Sequence, residues 1–291
     1  MAQAQPTELP NFDKLWDYNH PAETRQKFLD ILPSAEASAD ASYYLQVLTQ
    51  IARTYSLEGK FSEAHSLLDS VEKQLTPSLG LAQVRYLLER GRTFNSSDHK
   101  KEAIPLFTQA YELASQIGNM GLAIDAVHMV AIAKEDPRDQ IKWNLKGITL
   151  VDNDSSQEGW LWALYNNIGE SYLKIKDYEN AYKYFHLLSE YQKKRIGEPD
   201  IFTLKDESKA LRLSGNPTKA LTVIEPVYTK LHADHKEDGW ISDEYAEVLY
   251  ALDRKTEAKP HFKTAYQLLS TDEYCKQYEP EKLVHLKSMA E

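Results

Sequence analysis

Apolar residues recur at steps of three and four along almost the whole chain, the spacing that gathers them on one face of an α-helix. Leu45, Leu48, Ile51, Ala52 and Tyr55 form one such run, and Leu67, Leu68, Val71 and Leu75 form the next. Glu58-Gly59-Lys60 sits between them, a helix stop followed by a new start. The local unit is therefore a helix hairpin. Glycine (11) and proline (12) are too scarce for a chain of short strands and turns.

The hairpin repeats. A small residue stands near the middle of each first helix: Ala52, Gly91, Ala131, Gly169, Ser208 and Ala246, at spacings of 38 to 40. An alanine stands early in the second helix at Ala64, Ala103, Ala181, Ala220 and Ala258. Four residues after each alanine comes a bulky apolar residue: Leu68, Phe107, Phe185, Ile224 and Phe262. Three residues after the small residue, five of the six units carry Tyr55, Phe94, Tyr172, Leu211 or Leu249. Independent series with one period predict a solenoid. The physical reason is packing, because two antiparallel helices approach closely only where a small side chain lies at the crossing. The third unit is degenerate: Asp136-Pro137 shortens its turn, and Trp143 or Asn144 falls where alanine belongs.

These residues resemble the tetratricopeptide repeat. The nearest match is Tyr165 through Gly169 to Tyr172, followed by Asp177-Tyr178, Ala181 and Phe185. The resemblance runs over about 42–271, and the period is longer than that family's average. Free-standing bacterial tetratricopeptide proteins look similar, as more distantly do kinesin light chains and peptide-pheromone receptors. It implies an all-α, right-handed superhelical solenoid of about six hairpins with capping helices at both ends. The expected divisions are an N-terminal segment and cap over 1–41, the repeat array over 42–272 and a C-terminal cap over 273–291. Pro21 to Leu32 reads as the capping helix, and Ser34 to Ala41 as a linker. Glu279-Pro280 reads as the start of a last helix.

In such a solenoid the first helices line a concave groove. Helical spacing places Thr49 and Arg53, Leu88 and Arg92, Asp125 and His128, and Asn166 and Glu170 on that face. Lys205, Lys209 and Arg212 follow, then Asp243 and Glu247. Arg53, Arg92, Asp125, His128, Asn166 and Glu170 are the candidate ligand contacts. Arginine takes a carboxylate in two-pronged geometry, and an asparagine side chain matches one peptide amide. The resemblance implies that role for Asn166, because first-helix asparagines bind peptide backbone in the receptors. Removing Arg92 is expected to weaken a ligand and leave stability nearly unchanged. The carboxylate clamp of chaperone-binding relatives fits no frame of this chain.

Charge narrows the partners. Lys+Arg 34 against Asp+Glu 44 gives −10, which disfavours nucleic acid and anionic membranes. One cysteine, Cys275, allows no internal disulfide framework and suits a reducing, cytoplasmic setting. Met1 to Phe12 shows no signal-peptide core. No phosphate loop, metalloprotease helix or nucleophile elbow is present. No cofactor or metal site is expected, and His232-Ala-Asp-His235 reads as a surface loop. The reading is a non-catalytic scaffold or adaptor for a peptide or protein. The alternatives are a regulator sensing a peptide or small molecule in the same groove, and an enzyme centred on Asp125 and His128.

Overall fold

The computed structural model describes residues 9–291. Met1 to Glu8, part of the segment read for a signal peptide, lie outside them. Among the described residues the regular structure is wholly helical, in fifteen α-helices and two 3-10 turns. The chain divides into two compact units, with the boundary between Glu158 and Gly159.

The first unit starts with the 3-10 turn Phe12–Leu15 and helix α1 (Pro21–Ala37). Three hairpins follow: α2 (Ala41–Leu57) with α3 (Phe61–Glu72), α4 (Gly80–Ser96) with α5 (Lys100–Gln116), and α6 (Met120–Ala133) with α7 (Pro137–Asn153). The second unit holds α8 (Leu161–Lys174) with α9 (Tyr178–Ile196), α10 (Ile201–Leu213) with α11 (Pro217–Ala233), and α12 (Gly239–Ala251) with α13 (Lys255–Leu269). The short α14 (Glu273–Tyr278), which periodicity did not reveal, and α15 (Pro280–Ala290) end it.

The repeated small residues lie at the crossings, as expected. Ala52, Ala131, Ser208 and Ala246 are at most 1% exposed, and Gly91 and Gly169 are buried too. The five second-helix alanines are fully buried, with Leu68, Phe107, Phe185, Ile224 and Phe262 beside them. A Cβ placed on Gly91 would stand 2.5 Å from the Phe107 ring. Glycine is required there because the phenylalanine already occupies the space of a side chain.

The turn inside each hairpin is also repeated. Gly59, Asp98, Lys176, Gly215 and Asp253 all have φ between 60° and 83°. The next amide in each case donates to a carbonyl back in the first helix, on Tyr55, Phe94, Tyr172, Leu211 or Leu249, at 2.8–3.0 Å. This is the left-handed helix cap that satisfies an otherwise orphaned carbonyl. The third hairpin lacks it. There α6 stops at Ala133, and Asp136 caps α7 by accepting from the Arg138 amide at 2.8 Å, with Pro137 in the first turn.

Two local expectations fail. The stretch read as a linker from Ser34 is largely helix, since α1 runs on to Ala37 and buries Ala35 completely. Pro33 is tolerated because the carbonyl it leaves without a donor belongs to Leu29, on an exposed side of the helix where water can reach. Only Ser38 to Asp40 link the helices, turning at Ala39 (φ 59°). Thr49 and Leu88, assigned to the groove face, are instead 0% and 1% exposed. They lie four residues before Arg53 and Arg92, where 3.6-residue periodicity has already carried the stripe toward the core.

Candidate functional site

In the first unit, α2, α4 and α6 bring four charged side chains into one chain of contacts. Arg53 donates to Glu89 at 3.1 Å, and Arg92 donates to the other oxygen of Glu89 at 2.7 Å. The second terminal nitrogen of Arg92 lies 2.5 Å from each oxygen of Asp125. Glu89 is 3% exposed. Two cations and two carboxylates thus alternate across three helices. Burial opposes the charge on Arg92, but Asp125 and Glu89 more than offset it and raise its pKa. The arginines proposed for a ligand carboxylate already hold internal ones.

The N-terminal segment covers one end of this chain. Trp16 donates its indole N–H to Gln50 at 3.1 Å and stacks on Tyr18 at 4.7 Å. The Arg53 guanidinium lies 5.6 and 5.4 Å from those two ring centres, within range of cation–π attraction. His128 is half-buried on α6. Burial pulls its pKa down, more than the Asp125 charge and an Asn144 hydrogen bond pull it up. Asn144, in the degenerate position of α7, is 1% exposed.

Glu89 stands two residues before the crossing glycine of its helix, and Arg53 and Arg92 stand one residue after theirs. A related device recurs in the second unit, where the basic partner, Arg212, stands four residues after the crossing Ser208. Glu244, two residues before Ala246, is 4% exposed and accepts from Arg212 at 3.1 and 2.7 Å and from Ser208 at 3.1 Å. Burial raises its pKa against the pull of Arg212. Neither glutamate was singled out as a partner in the sequence. The signal available was an acid repeatedly two residues before the crossing, one repeat after a basic residue.

The second unit also has a cleft of about 590 Å³, lined from α8, α10, α12 and the C-terminal segment. Seven carboxylates and four cations form its walls. Lys205 pairs with Asp206 at 2.9 Å, Arg212 with Glu244, and Lys282 with Asp243 at 2.6 Å. Phe202 and Tyr274 are exposed at its edge, and Tyr274 meets Trp240 edge-on at 6.3 Å. Glu170 lies in this cleft, with its pKa raised by burial and by Asp206 against nearby lysines. Asn166, half-buried, is one turn earlier on α8. Of the six candidates, Arg53, Arg92, Asp125 and His128 gather in the first unit, and Asn166 and Glu170 belong to the second.

Among the described residues no group of three metal-ligating side chains gathers, and His232 pairs with Glu237 at 3.0 Å. No described helix is long and apolar enough to cross a membrane. Cys275 is a free, buried thiol.

Residues 163–194, the unit with the fullest motif, match the tetratricopeptide repeat family model. No curated protein sequence matches the chain significantly. Solved structures extend the likeness in fold. A signal-transduction ATPase with a tetratricopeptide repeat sensor from Pyrococcus horikoshii aligns with a TM-score of 0.70 at 15% identity, over 94% of this chain and 44% of that one. The chain thus spans less than half of that relative's length. The apo form of RapI aligns at 0.72 and 12% identity, over 96% and 80% of the two chains. NprR in complex with its cognate peptide NprX aligns at 0.50 and 15%, over 95% and 81%. The fold is that of a tetratricopeptide-type helical repeat protein, and the hairpins read from the sequence are its repeats.

Proposed function

We propose that this protein is a non-catalytic, cytoplasmic binding module that holds a peptide or protein segment on the first helices of its repeats. The observation that carries this reading is the cleft of the second unit. Its walls offer charged donors and acceptors, and its edge offers exposed aromatic rings. Extended peptides need that combination, because each residue brings a backbone donor, an acceptor and a side chain. NprR, of similar fold, is seen with a peptide bound, which supports the same use of the repeats here. Catalysis around Asp125 is disfavoured because both of its oxygens are held by Arg92. A regulator that changes shape on binding is the alternative, and the repeat sensor of the Pyrococcus ATPase supports keeping it.

The test is selection of random twelve-residue peptides displayed on phage against the immobilised chain. Enrichment of peptides that share a motif and compete with one another for the purified protein is the expected result. If no peptide family enriches, and a metabolite screen by thermal shift gives a stabilising small molecule instead, the peptide reading fails.

A further inference from the structure

The cleft of the second unit has an unbalanced wall. Its seven carboxylates face only four cations, and three of those cations already pair with carboxylates of the cleft itself. The surplus is three negative charges. Two carboxylates stand out within it. Glu170 forms no hydrogen bond or ion pair among the described residues, although it is partly buried. Asp243 is 6% exposed, yet only Oδ2 is used, by Lys282, and Oδ1 has no donor. A buried acceptor left without a donor is unusual and costly.

The aromatic groups point to the same chemistry. The Lys282 and Lys205 ammonium groups lie 5.4 and 5.9 Å from the Trp240 ring centre, so this ring already sits among cations. Tyr274, which also meets Tyr278 at 5.0 Å, is 58% exposed and Phe202 is 42% exposed, and among the described residues neither ring has a cation over it. A planar guanidinium brings several donors for carboxylate oxygens and a flat face for aromatic rings. An ammonium brings the charge without the plane, and a carboxylate ligand would meet a wall of its own sign.

We infer that the second-unit cleft receives an arginine side chain of an extended peptide, with Glu170 and Asp243 as its acceptors and Tyr274 and Phe202 as its stacking surface. This rests on the peptide-binding reading and narrows it to a basic ligand class and to one cleft. It also reverses the expectation that groove arginines capture a ligand carboxylate. In the first unit the arginines are neutralised from within, whereas in the second-unit cleft the carboxylates outnumber the cations.

The experiment is calorimetric titration of the whole chain with four capped hexapeptides. These are alternating serine and arginine, and the same peptide with lysine, citrulline or glutamate in place of arginine. The arginine peptide is expected to bind, more weakly as salt is raised, with lysine weaker than arginine. Citrulline, of the same shape without charge, should lose at least about tenfold, and so should Glu170→Gln. Tyr274→Ala, at an exposed ring that makes few core contacts, should weaken arginine more than lysine. Glu190→Gln, an exposed carboxylate on α9 outside the cleft, is the control for general attraction to an acidic protein and should change nothing. Each variant is first checked for an unchanged helical spectrum and melting temperature.

Equal loss in Glu190→Gln and Glu170→Gln would overturn the inference, because binding would then follow net charge alone. So would arginine and citrulline peptides binding alike, or free arginine binding as tightly as the peptide. If displayed peptides enrich but are acidic or neutral, this inference fails and the binding-module reading stands. If no peptide of any charge binds, both fail together.

Discussion

A Cβ on Gly169 would lie 2.7 Å from Cε1 of Phe185, closer than side-chain carbons approach one another. The two residues come from the two helices of one hairpin, and each fixes what the other can be. Phe185 is fully buried and has no open side to turn toward.

Gly169→Ala is therefore expected to cost about 1–3 kcal/mol, the range for overpacking a filled core. Phe185→Leu in the same chain should recover part of that loss, although alone it should destabilise. Urea denaturation of the two single variants and the double variant gives the coupling directly. Additive losses would mean that the contact is not what excludes a side chain at 169.

The turn at Lys176 makes an opposite prediction. It holds φ 61°, where glycine stands at the equivalent Gly59 and Gly215. A non-glycine residue there carries backbone strain of about 1 kcal/mol. Lys176→Gly should raise the melting temperature by a few degrees, and Gly215→Ala should lower it. Thermal unfolding followed by circular dichroism checks both.

The buried ion pairs should behave as ties between repeats. Glu244→Ala leaves Arg212 without its main partner and should cost about 3 kcal/mol or more. Replacing both residues by methionine should cost much less, because no charge is then stranded. Arg92→Ala should likewise destabilise the fold, contrary to the expectation for a free groove residue, since it strands Asp125 and half of Glu89. Chemical denaturation of the three variants decides this.

Lowering the pH through the histidine range should weaken the fold through its buried imidazoles. Burial lowers the pKa of His65, His128 and His261 below the ordinary 6.5. As pH falls through 6.5 the unfolded chain takes protons that the folded chain refuses, so stability falls with pH there. His128→Gln should flatten the slope of melting temperature between pH 7.5 and 6. Nearer the carboxylate range, the raised pKa of Glu170 acts in the other sense, its folded form binding the proton more readily.

The packing of the repeats was legible because it depends on residue size, which recurs at fixed intervals. Ala64, Phe107 and Gly169 each state their place by being small or bulky at the right step. The positive φ at Asp98, Lys176 and Asp253 was not legible, because only glycine announces that conformation and these turns use other residues. The continuation of α1 past Pro33 was hidden for the converse reason, proline being a stop signal that an exposed helix side can absorb. For the candidate site, spacing brought Arg53, Arg92 and Asp125 to neighbouring helices correctly. It did not supply Glu89, and without that residue two neutralised arginines read as two free ones. Glu170 and Asp243 were placed on inward faces by the same periodicity, but their lack of partners is a property of three-dimensional neighbours.

The left-handed turn inside the hairpin divides the chain into rigid and adjustable lengths. From crossing residue to second-helix alanine the distance is 12 in every regular hairpin: Ala52 to Ala64, Gly91 to Ala103, Gly169 to Ala181, Ser208 to Ala220 and Ala246 to Ala258. From that alanine to the next crossing it varies, as in the 27 residues from Ala64 to Gly91, 28 from Ala103 to Ala131 and 26 from Ala220 to Ala246. The turn cannot gain a residue, because the amide after the left-handed position must still reach the carbonyl of the residue three past the crossing. Growth and shortening are confined to the stretch from second helix to next hairpin. Each hairpin is thus a transferable cassette with its joints outside it, and a duplicated or swapped repeat spliced at those joints would keep every crossing in register.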